Sequence, residues 1–331
     1  QPFPVRAAGQ LPSGFEPGAS YAARQHPRGL EMAVYAATDA VRSVGIPWQD
    51  ILNQIAPDKV SVYASAAMSQ LDENGHGGMM RAGLMGKRTS SKQCPLGFAE
   101  MPADFVNAYV IGNVGATGAM MGACATFLYN LEKAIQDIQT GKSLIAIVGT
   151  ADAPILPEIM EGYRAMGALA EDDGLRKLDS ITGEPDHRRA CRPFSDNCGF
   201  TIAESAQYVV LCSDTLALQL GATIYGAAPA VFVHADGIKK SISAPGMGNY
   251  LTLGRAVHFA QKIAPDLQRS FVMAHGTGTP QNRVTESHVL DSVAEAFGIA
   301  EWPVAAIKAY LGHSIDLSCG MVMALGSIVM T

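Results

Sequence analysis

The chain has 331 residues, a formal net charge of −6, and a charged fraction of 16%, below the roughly 25% of an average globular chain. Its 48% apolar content excludes intrinsic disorder, and its acidic balance excludes the basic footprint of a nucleic-acid binder. Six cysteines show no zinc spacing, and no apolar stretch is long enough to span a bilayer. We therefore expect a cytoplasmic protein with reduced thiols, no metal site and no membrane span.

Hydrophobic periodicity predicts alternating helices and strands along the chain, which is typical of an α/β fold. Helices are predicted over 28–44, 102–112, 125–139 and 284–297, and strands over 60–66, 143–148, 206–212, 270–274 and 304–307. Long loops are predicted over 75–100 and 170–200. A weak change of composition near Gly221 suggests a boundary between two parts, 1–220 and 221–331.

Cys124 lies in the most informative segment, between an irregular glycine-rich turn and the helix predicted over 125–139. The free N–H groups and dipole of a helix N-terminus favour thiolate over thiol, and the same N–H groups could hold an oxyanion. A small thiol buried at a strand–helix corner is the alternative, and it is the commoner role of a single cysteine. Position alone leaves both interpretations open.

Two histidines each follow a short apolar strand. His275 lies in Ala-His-Gly-Thr-Gly-Thr-Pro at 274–280, and His313 ends a segment that begins with Lys308. The carboxyl ends of strands are where open α/β sheets bind ligands. The hydroxyls at Thr277 and Thr279 could bind an extended ligand that carries amides. One such histidine is usually structural, but two of them together with a cysteine at a helix start indicate an active site.

These segments resemble the β-ketoacyl-[acyl-carrier-protein] synthases of the thiolase superfamily. Gly-Ala-Cys-Ala-Thr at 122–126 resembles their nucleophile turn, 274–280 their first histidine motif, and 308–314 their Lys-to-Gly-His motif. Further similar segments, in the family's order from about residue 28 to about 320, are Arg-Pro-Phe at 192–194, Gly-Phe at 199–200, Glu204, and the strand-like Gly-Ala-Thr-Ile-Tyr-Gly at 221–226. The residues of these motifs are most similar to those of the FabY-type bacterial synthases, which start chains from acetyl-CoA.

The resemblance implies a thiolase-like fold, in which two related α/β halves form a five-layer α-β-α-β-α sandwich. Residues 1–220 would be the half with the nucleophile, and 221–331 the half with both histidines. The implied enzyme is an acyltransferase of fatty acid biosynthesis that joins an acyl primer, acetyl-CoA for this type, to malonyl-[acyl-carrier-protein]. It works without a cofactor of its own, because the substrate is carried on the carrier protein's phosphopantetheine.

The resemblance also assigns roles to particular residues. Cys124 would carry the acyl group, and His275 and His313 would donate N–H bonds to the thioester oxygen while CO2 leaves. Lys308 would keep both imidazoles neutral through its charge.

Other implied roles concern binding. Thr277 and Thr279 would bind the amides of the pantetheine arm, and Phe200 would gate the acyl pocket. Residues 100–122 resemble the family's dimer-facing region, so a homodimer is expected. Acidic carrier proteins need a basic docking patch, for which the candidates are Arg81, Lys87, Arg88 and Lys92.

Some family features have no counterpart in the sequence. The first strand would precede residue 1, and no Gly-Phe-Gly-Gly-type loop, which supplies an oxyanion-hole N–H, follows His313. Val322 stands where an acidic partner for the lysine is often found. We therefore expect a chain without the first strand and a C-terminal segment, and with an incomplete second half.

Two alternatives remain open. A thiolase would need a second cysteine in a Cys-x-Gly setting, and here Cys319 and Gly320 are adjacent, which argues against it. A non-catalytic partner subunit, similar to a chain-length factor, would typically replace the nucleophile. Cys124 is present, but the missing segments keep this alternative open.

Overall fold

A computed structural model describes residues 3–239, 241, 244–265 and 270–315 of the chain. Its α-helices are α1 (Arg28–Ser43), α2 (Trp48–Leu52), α3 (His76–Ala82), α4 (Gln93–Leu96), α5 (Met101–Val106), α6 (Thr126–Gln139), α7 (Pro157–Ala165), α8 (Asp172–Asp179), α9 (Asp214–Leu220), α10 (Met247–Ile263), α11 (Pro280–Ala296) and α12 (Lys308–Leu311). Its strands are β1 (Val60–Ser65), β2 (Thr117–Gly118), β3 (Ile145–Asp152), β4 (Ser205–Cys212), β5 (Val272–Met273) and β6 (Val304–Ala305). Short 3-10 turns cover Pro17–Ser20, Ala123–Ala125 and His187–Arg189, and α5 continues as a π-turn, Asn107–Ile111.

Two compact units are built from interleaved stretches of chain. The sheet unit comprises Gln10–Leu156 and Glu204–Pro229, with Ser314 and Ile315. The histidine unit comprises Pro157–Ala203, Ala230–His313 and the N-terminal residues as far as Gly9. The expected division at 220/221 concerns two related halves rather than contact units, and it stays a prediction.

The sheet unit is organised around a four-stranded sheet in the order β2-β1-β3-β4. β1 pairs in parallel with β2 and β3, and β3 pairs antiparallel with β4, with Ile145 opposite both Val60 and Cys212. Every residue of β1 and β3 is buried. Both strands consist mostly of apolar and small residues, which is typical of strands covered on both faces.

Helix α1 shows how the sequence builds this unit. Its buried residues recur every three or four positions, and Leu30, Val34, Ala37 and Val41 belong to that face, which contacts β3, β4 and α5. The core cluster around the sheet includes Met32, Ala37, Ile51, Val62, Val106 and Ile147.

The histidine unit contains the parallel pair β5–β6 and the contacting helices α10 and α11. Val257, Val293 and Ile299 form its helical core. Isolated backbone bridges join Gly9 to Ala203 and Ile202 to His313. Residues far apart in sequence therefore hold this unit together.

Most predicted elements are confirmed, including α1, α6, β1, β3 and β4. The loop predicted over 75–100 is wrong in part, because it contains α3 and α4, and the loop over 170–200 contains α8. Both predictions rested on glycine and charge content, which short helices tolerate at a surface. The sequence interpretation also missed α10.

The strand-like segment 221–226 forms no strand in the structure. Gly221, at φ 65°, ends α9 with a left-handed cap, and Ile224 and Tyr225 beyond it are exposed. Apolar residues there lack a neighbouring strand among the described residues. The expectations on Cys319, Gly320, Val322 and the C-terminal loop fall outside the described residues. Over the described chain, no helix combines the length and apolarity needed to cross a membrane.

Candidate active site

His275 lies just beyond β5, in a turn held by one carboxylate. The backbone N–H groups of His275 and Gly276 donate to the two oxygens of Glu286, at 2.6 and 2.8 Å. Gly276 has φ 49°, and a Cβ on it would lie 2.7 Å from Cβ of Ala306. Only glycine fits this turn without a shift of its neighbours. The histidine backbone is therefore fixed from both sides.

Lys308, at the start of α12, is 1% exposed and faces His275. Its Nζ donates to Nδ1 of His275 at 3.2 Å and to the carbonyl oxygen of the same residue. An ammonium group has donors and no acceptor, so Nδ1 must be unprotonated. In the neutral imidazole the proton then lies on Nε2, which is left as the donor of the ring.

His313 is 2% exposed and is held by backbone pairing with 201–203. Its N–H donates to the Thr201 carbonyl at 2.7 Å, and its carbonyl accepts from Ala203 N–H at 3.0 Å. Gly312 has φ 77°, and a Cβ there would lie 2.9 Å from the Thr201 oxygen. The ring centroids of His313 and His275 are 5.4 Å apart, at an interplanar angle of 87°.

Both imidazoles are strongly biased toward their neutral form. Burial, and secondly the Lys308 cation, lower the pKa of His275 to about 3. Burial, Lys308 and His275 together lower the pKa of His313 well below its ordinary value. Each ring can therefore donate an N–H bond at neutral pH without carrying a charge.

Phe200 packs on the second histidine. Its ring centroid lies 4.8 Å from that of His313 and 5.4 Å from that of Tyr163 in α7. Gly199 makes this approach possible, because a Cβ there would lie 2.3 Å from the carbonyl carbon of Leu169. Phe200 is buried as expected of a pocket residue, and its role as a gate stays a prediction.

Thr277 and Thr279 follow the first histidine and form one hydrogen-bonded group. Their hydroxyl oxygens are 3.0 Å apart. Asn282 Oδ1 accepts from both the N–H and the hydroxyl of Thr277, at 2.8 and 2.9 Å. Thr279 is the N-cap of α11, and its hydroxyl accepts from Asn282 N–H at 3.3 Å.

Cys124 lies in the sheet unit, in the 3-10 turn directly before α6, so its predicted place at a helix start is confirmed. The preceding Ala123 has φ 48°, in the left-handed region that favours glycine. Thr126 closes the turn: its hydroxyl donates to the Ala123 carbonyl at 2.7 Å and accepts from Gly122 N–H at 3.0 Å. The half-buried thiol therefore stands on a tightly constrained backbone.

Asn130 anchors the same turn to the sheet, a role that the sequence interpretation missed. Its amide oxygen accepts from Met120 N–H at 2.9 Å, and its Nδ2 donates to Ser65 Oγ at 3.0 Å and to the Thr126 carbonyl at 3.1 Å. Asn130 has no exposed surface. Its spacing of six residues from Cys124 gives no sign of this role in the sequence.

The four candidate docking residues differ in their surroundings. Lys87 and Arg81 lie 3.1 and 4.0 Å from the carboxylate of Glu73, which offsets part of their charge. Arg88 and Lys92 are exposed. A docking role for this group stays a prediction.

The histidine unit thus brings together Lys308, His275, His313, Phe200 and the two threonines. Cys124 is placed in the other unit, and the basic residues lie there too. Glu286 and Asn282 are positioning residues absent from the sequence interpretation. A Thr followed three residues later by a polar side chain at a helix start was the available signal for Asn282.

Comparison with known proteins places the chain in a family. A family model described as "Beta-ketoacyl synthase, N-terminal domain" matches residues 6–217. The Beta-ketoacyl-[acyl-carrier-protein] synthase FabY of Pseudomonas aeruginosa is 58% identical over 328 residues, which cover 98% of this chain and 52% of that protein. A 3-oxoacyl-[acyl-carrier-protein] synthase 2 of Staphylococcus aureus is 27% identical over 305 residues, covering 90% and 70% of the two chains.

Solved structures agree with this placement. The crystal structure of the noncanonical ketosynthase FabY from P. aeruginosa matches with a TM-score of 0.94 and 57% identity, over 97% of this chain and 51% of that one. A β-ketoacyl synthase from Burkholderia phymatum has a TM-score of 0.80 at 22% identity, over 100% and 76% of the two chains, a likeness of fold alone.

The chain therefore belongs to the β-ketoacyl synthase family and has the thiolase-like ketosynthase fold. The resemblance to the FabY type, predicted from the motifs, is confirmed. The chain spans about half the length of the FabY protein that it matches.

Proposed function

We propose that this chain performs the chemistry of a β-ketoacyl-[acyl-carrier-protein] synthase in fatty acid biosynthesis, a decarboxylative Claisen condensation. The observation that supports this most strongly is the arrangement of Lys308, His275 and His313. Two neutral imidazoles are adjacent in an edge-to-face arrangement, and a buried ammonium fixes the proton of one of them on Nε2. Such a pair is suited to stabilising an enolate oxygen without transferring a proton to it.

The first step loads the nucleophile. The Cys124 thiolate attacks the carbonyl carbon of a primer thioester, acetyl-CoA for this type of synthase. A new C–S bond forms, the C–S bond of the primer thioester breaks, and the leaving thiolate takes up the proton that the Cys124 thiol gave up. The position of Cys124 directly before α6 supports thiolate formation, because helix N–H groups stabilise negative charge.

The second step generates the carbon nucleophile. In malonyl-[acyl-carrier-protein] the bond to the carboxylate breaks, CO2 leaves, and the electron pair passes to an enolate. His275 and His313 donate N–H bonds to the thioester oxygen, where this charge develops.

Condensation completes the cycle. The enolate carbon attacks the acyl carbonyl on Cys124, a C–C bond forms, and the cysteine leaves as thiolate. The β-ketoacyl product stays on the carrier protein. Thr277 and Thr279 would bind the pantetheine arm throughout, and Phe200 would gate the acyl pocket. No cofactor is required beyond the carrier protein's phosphopantetheine, and we propose a cytoplasmic enzyme.

The proposed partners are acyl carrier protein and a second copy of this chain. Exposed Arg88 and Lys92 support docking of an acidic carrier more directly than Arg81 and Lys87, whose charge Glu73 partly offsets. Two observations support a homodimer through 100–122. β2 is an edge strand of the sheet, and Met120 and Met121, which follow it, are each 44% exposed.

Intact-mass spectrometry after incubation with acetyl-CoA and with acyl carriers tests the loading step. We expect an acyl adduct that disappears in Cys124→Ala. The absence of an adduct with every donor would refute the proposed acyltransferase activity. An adduct that persists in Cys124→Ala would refute the assignment of Cys124 as the nucleophile.

A His275→Ala variant tests the second step. It should still take up acyl groups but release little CO2 from malonyl thioester, because about 10²–10³ in rate is lost with one oxyanion donor. Undiminished CO2 release would refute the role of His275. Acylation of the same variant controls for folding.

A further inference from the structure

Asn282 occupies the first turn of α11 and contacts the Thr277 N–H and the hydroxyl groups of both threonines. Its Oδ1 accepts from Thr277 N–H at 2.8 Å, and since a backbone N–H can only donate, this bond fixes which end of the side-chain amide faces Thr277. The same oxygen accepts the Thr277 hydroxyl proton at 2.9 Å. Its Nδ2 donates to Glu286 at 3.3 Å, away from the threonines.

A count of protons follows from these contacts. A hydroxyl has one proton and two lone pairs, and the Thr277 proton is taken by Asn282. Thr277 Oγ1 also accepts from Thr279 N–H at 3.2 Å, which occupies one lone pair. The 3.0 Å contact between the two hydroxyls must then use the Thr279 proton and the last lone pair of Thr277.

We propose that Asn282 is a positioning residue that fixes the hydrogen-bond polarity of the threonine pair. When Thr279 turns its proton toward a ligand carbonyl, the freed lone pair of Thr277 accepts a ligand N–H. The pair then offers one donor and one acceptor, the complement of an amide. This inference rests on the proposed function, in which the two threonines bind the amides of a pantetheine arm.

The consequence is a measurable selectivity for the amide N–H. An ester oxygen in place of that N–H removes the donor to the Thr277 hydroxyl oxygen. It also places one acceptor oxygen opposite another, which is repulsive. The loss of one hydrogen bond of about 1.4 kcal/mol corresponds to roughly tenfold in affinity. If Asn282 did not hold the Thr277 proton, the hydroxyl could rotate and donate to the ester, and the selectivity would shrink.

The experiment compares CO2 release from malonyl-pantetheine with release from two analogues, in each of which one amide N–H is replaced by an ester oxygen. For the full chain we expect one analogue to show a KM raised roughly tenfold, with kcat nearly unchanged. The ratio of interest is the KM of this analogue divided by the KM of malonyl-pantetheine. In Thr277→Val and in Asn282→Ala this ratio should fall to about twofold or less. The double variant should behave like either single variant, because both act on one hydrogen bond.

Two further variants separate polarity from simple support of the fold. Asn282→Asp keeps an acceptor for the Thr277 proton but places a second carboxylate beside Glu286. Repulsion there should lower kcat for every substrate, while the wild-type ratio of KM values is retained. Asn249→Ala is the matched control, because Asn249 caps α10 through Gly246 N–H at 2.9 Å and has the same place in its helix. It should also retain the ratio.

The outcomes distinguish a failure of the proposed function from a failure of the role of Asn282. Absence of CO2 release from unmodified malonyl-pantetheine by the unmutated chain would overturn the proposed function and this inference with it. Release without amide selectivity would overturn the inference alone. Retained selectivity in Asn282→Ala, or its loss in Asn282→Asp, would likewise show that Asn282 does not set the polarity.

Discussion

At the scale of single residues, the most constrained group is the Lys308 ammonium. It is almost fully buried, and it donates to both the ring and the carbonyl of His275. Burying a charge is costly unless polar groups surround it, so this arrangement is held against a substantial desolvation penalty. The lysine acts on the histidines in two separable ways, through its protons and through its charge.

A Lys308→Met variant removes both effects. We expect CO2 release from malonyl thioester to fall by about 10²–10³. Burial and, to a smaller extent, the Lys308 cation lower the pKa of both imidazoles. Removal of the cation therefore raises the pKa of each part of the way, and the acid limb of the residual rate should move to higher pH. A pH–rate profile measures this. An unmoved acid limb would contradict it, and Lys262→Met, at an exposed lysine of α10, is the control.

The resemblance predicted Cys124, the two histidines and Lys308 from short motifs. It could not predict the roles of Glu286 and Asn282, because these roles depend on the direction in which α11 runs after the turn at His275. A carboxylate eleven residues beyond His275 has no local signature, and only the folded backbone brings it to two N–H groups.

At the scale of elements, His313 is positioned by the close approach of two backbones. Gly312 combines a left-handed φ of 77° with contact to the Thr201 carbonyl. Gly298 has a similar φ of 66°, but a Cβ there would meet nothing within 4 Å. These two glycines therefore separate conformational strain from steric crowding.

Gly312→Ala should lower the free energy of unfolding by about 3 kcal/mol, from strain of about 1 kcal/mol plus displacement of the Thr201 contact. Gly298→Ala should cost only the strain of about 1 kcal/mol. Urea denaturation of both variants measures the difference. CO2 release should fall in Gly312→Ala alone, since only that change moves a histidine. Equal losses of stability would argue against crowding.

Helix α6, which begins beside Cys124, is fixed to β1 by one buried carboxylate. Asp137 accepts from the Tyr63 hydroxyl, from Lys133 at 2.5 Å and from Lys142 at 3.0 Å. Burial alone would raise the pKa of Asp137, but these three donors hold that pKa below its ordinary value. The stability that this group contributes is present above the unfolded pKa and is lost as the pH falls through the folded one.

Asp137→Asn should lower the free energy of unfolding by about 2 kcal/mol at neutral pH, because three donors lose a charged acceptor. The difference from the unmutated chain should shrink as the solution is acidified. Asp104→Asn is the matched control: this exposed carboxylate accepts from the Thr117 hydroxyl at 3.0 Å, and its loss should cost less than about 0.5 kcal/mol. A loss for Asp137→Asn that does not change with pH would contradict the proposed charge contribution.

At the scale of the whole molecule, the sequence was most informative for the three long strands of the sheet. β1, β3 and β4 carry apolar runs that periodicity detects without further knowledge. The two-residue strand β2 and the interleaved units were beyond its reach, because pairings such as Gly9 with Ala203 depend on tertiary contacts. Helix α10 was missed because its apolar face is weak, with few buried residues.

The charge distribution yields a prediction about the proposed carrier partner. Reversing Arg88 and Lys92 together to Glu should raise the KM for malonyl-[acyl-carrier-protein] about tenfold at low salt, with a smaller effect on free acetyl-CoA. The effect should shrink in 0.5 M salt, since exposed charges are screened over a few ångströms there. Arg255 and Lys262, exposed on α10, provide a control reversal of equal charge. An equal loss in the control would exclude a specific patch.

The bridge between Gly9 and Ala203 also affects how the chain can be synthesised and folded. A ribosome adding roughly 5–20 residues per second needs on the order of ten to forty seconds to reach the second partner. Throughout that interval Val5 and Ala7, both buried in the finished protein, have no site to occupy. The stretch around Gly9 can therefore order only after Ala203 has been synthesised, so the histidine unit becomes ordered late relative to the synthesis of its own first residues.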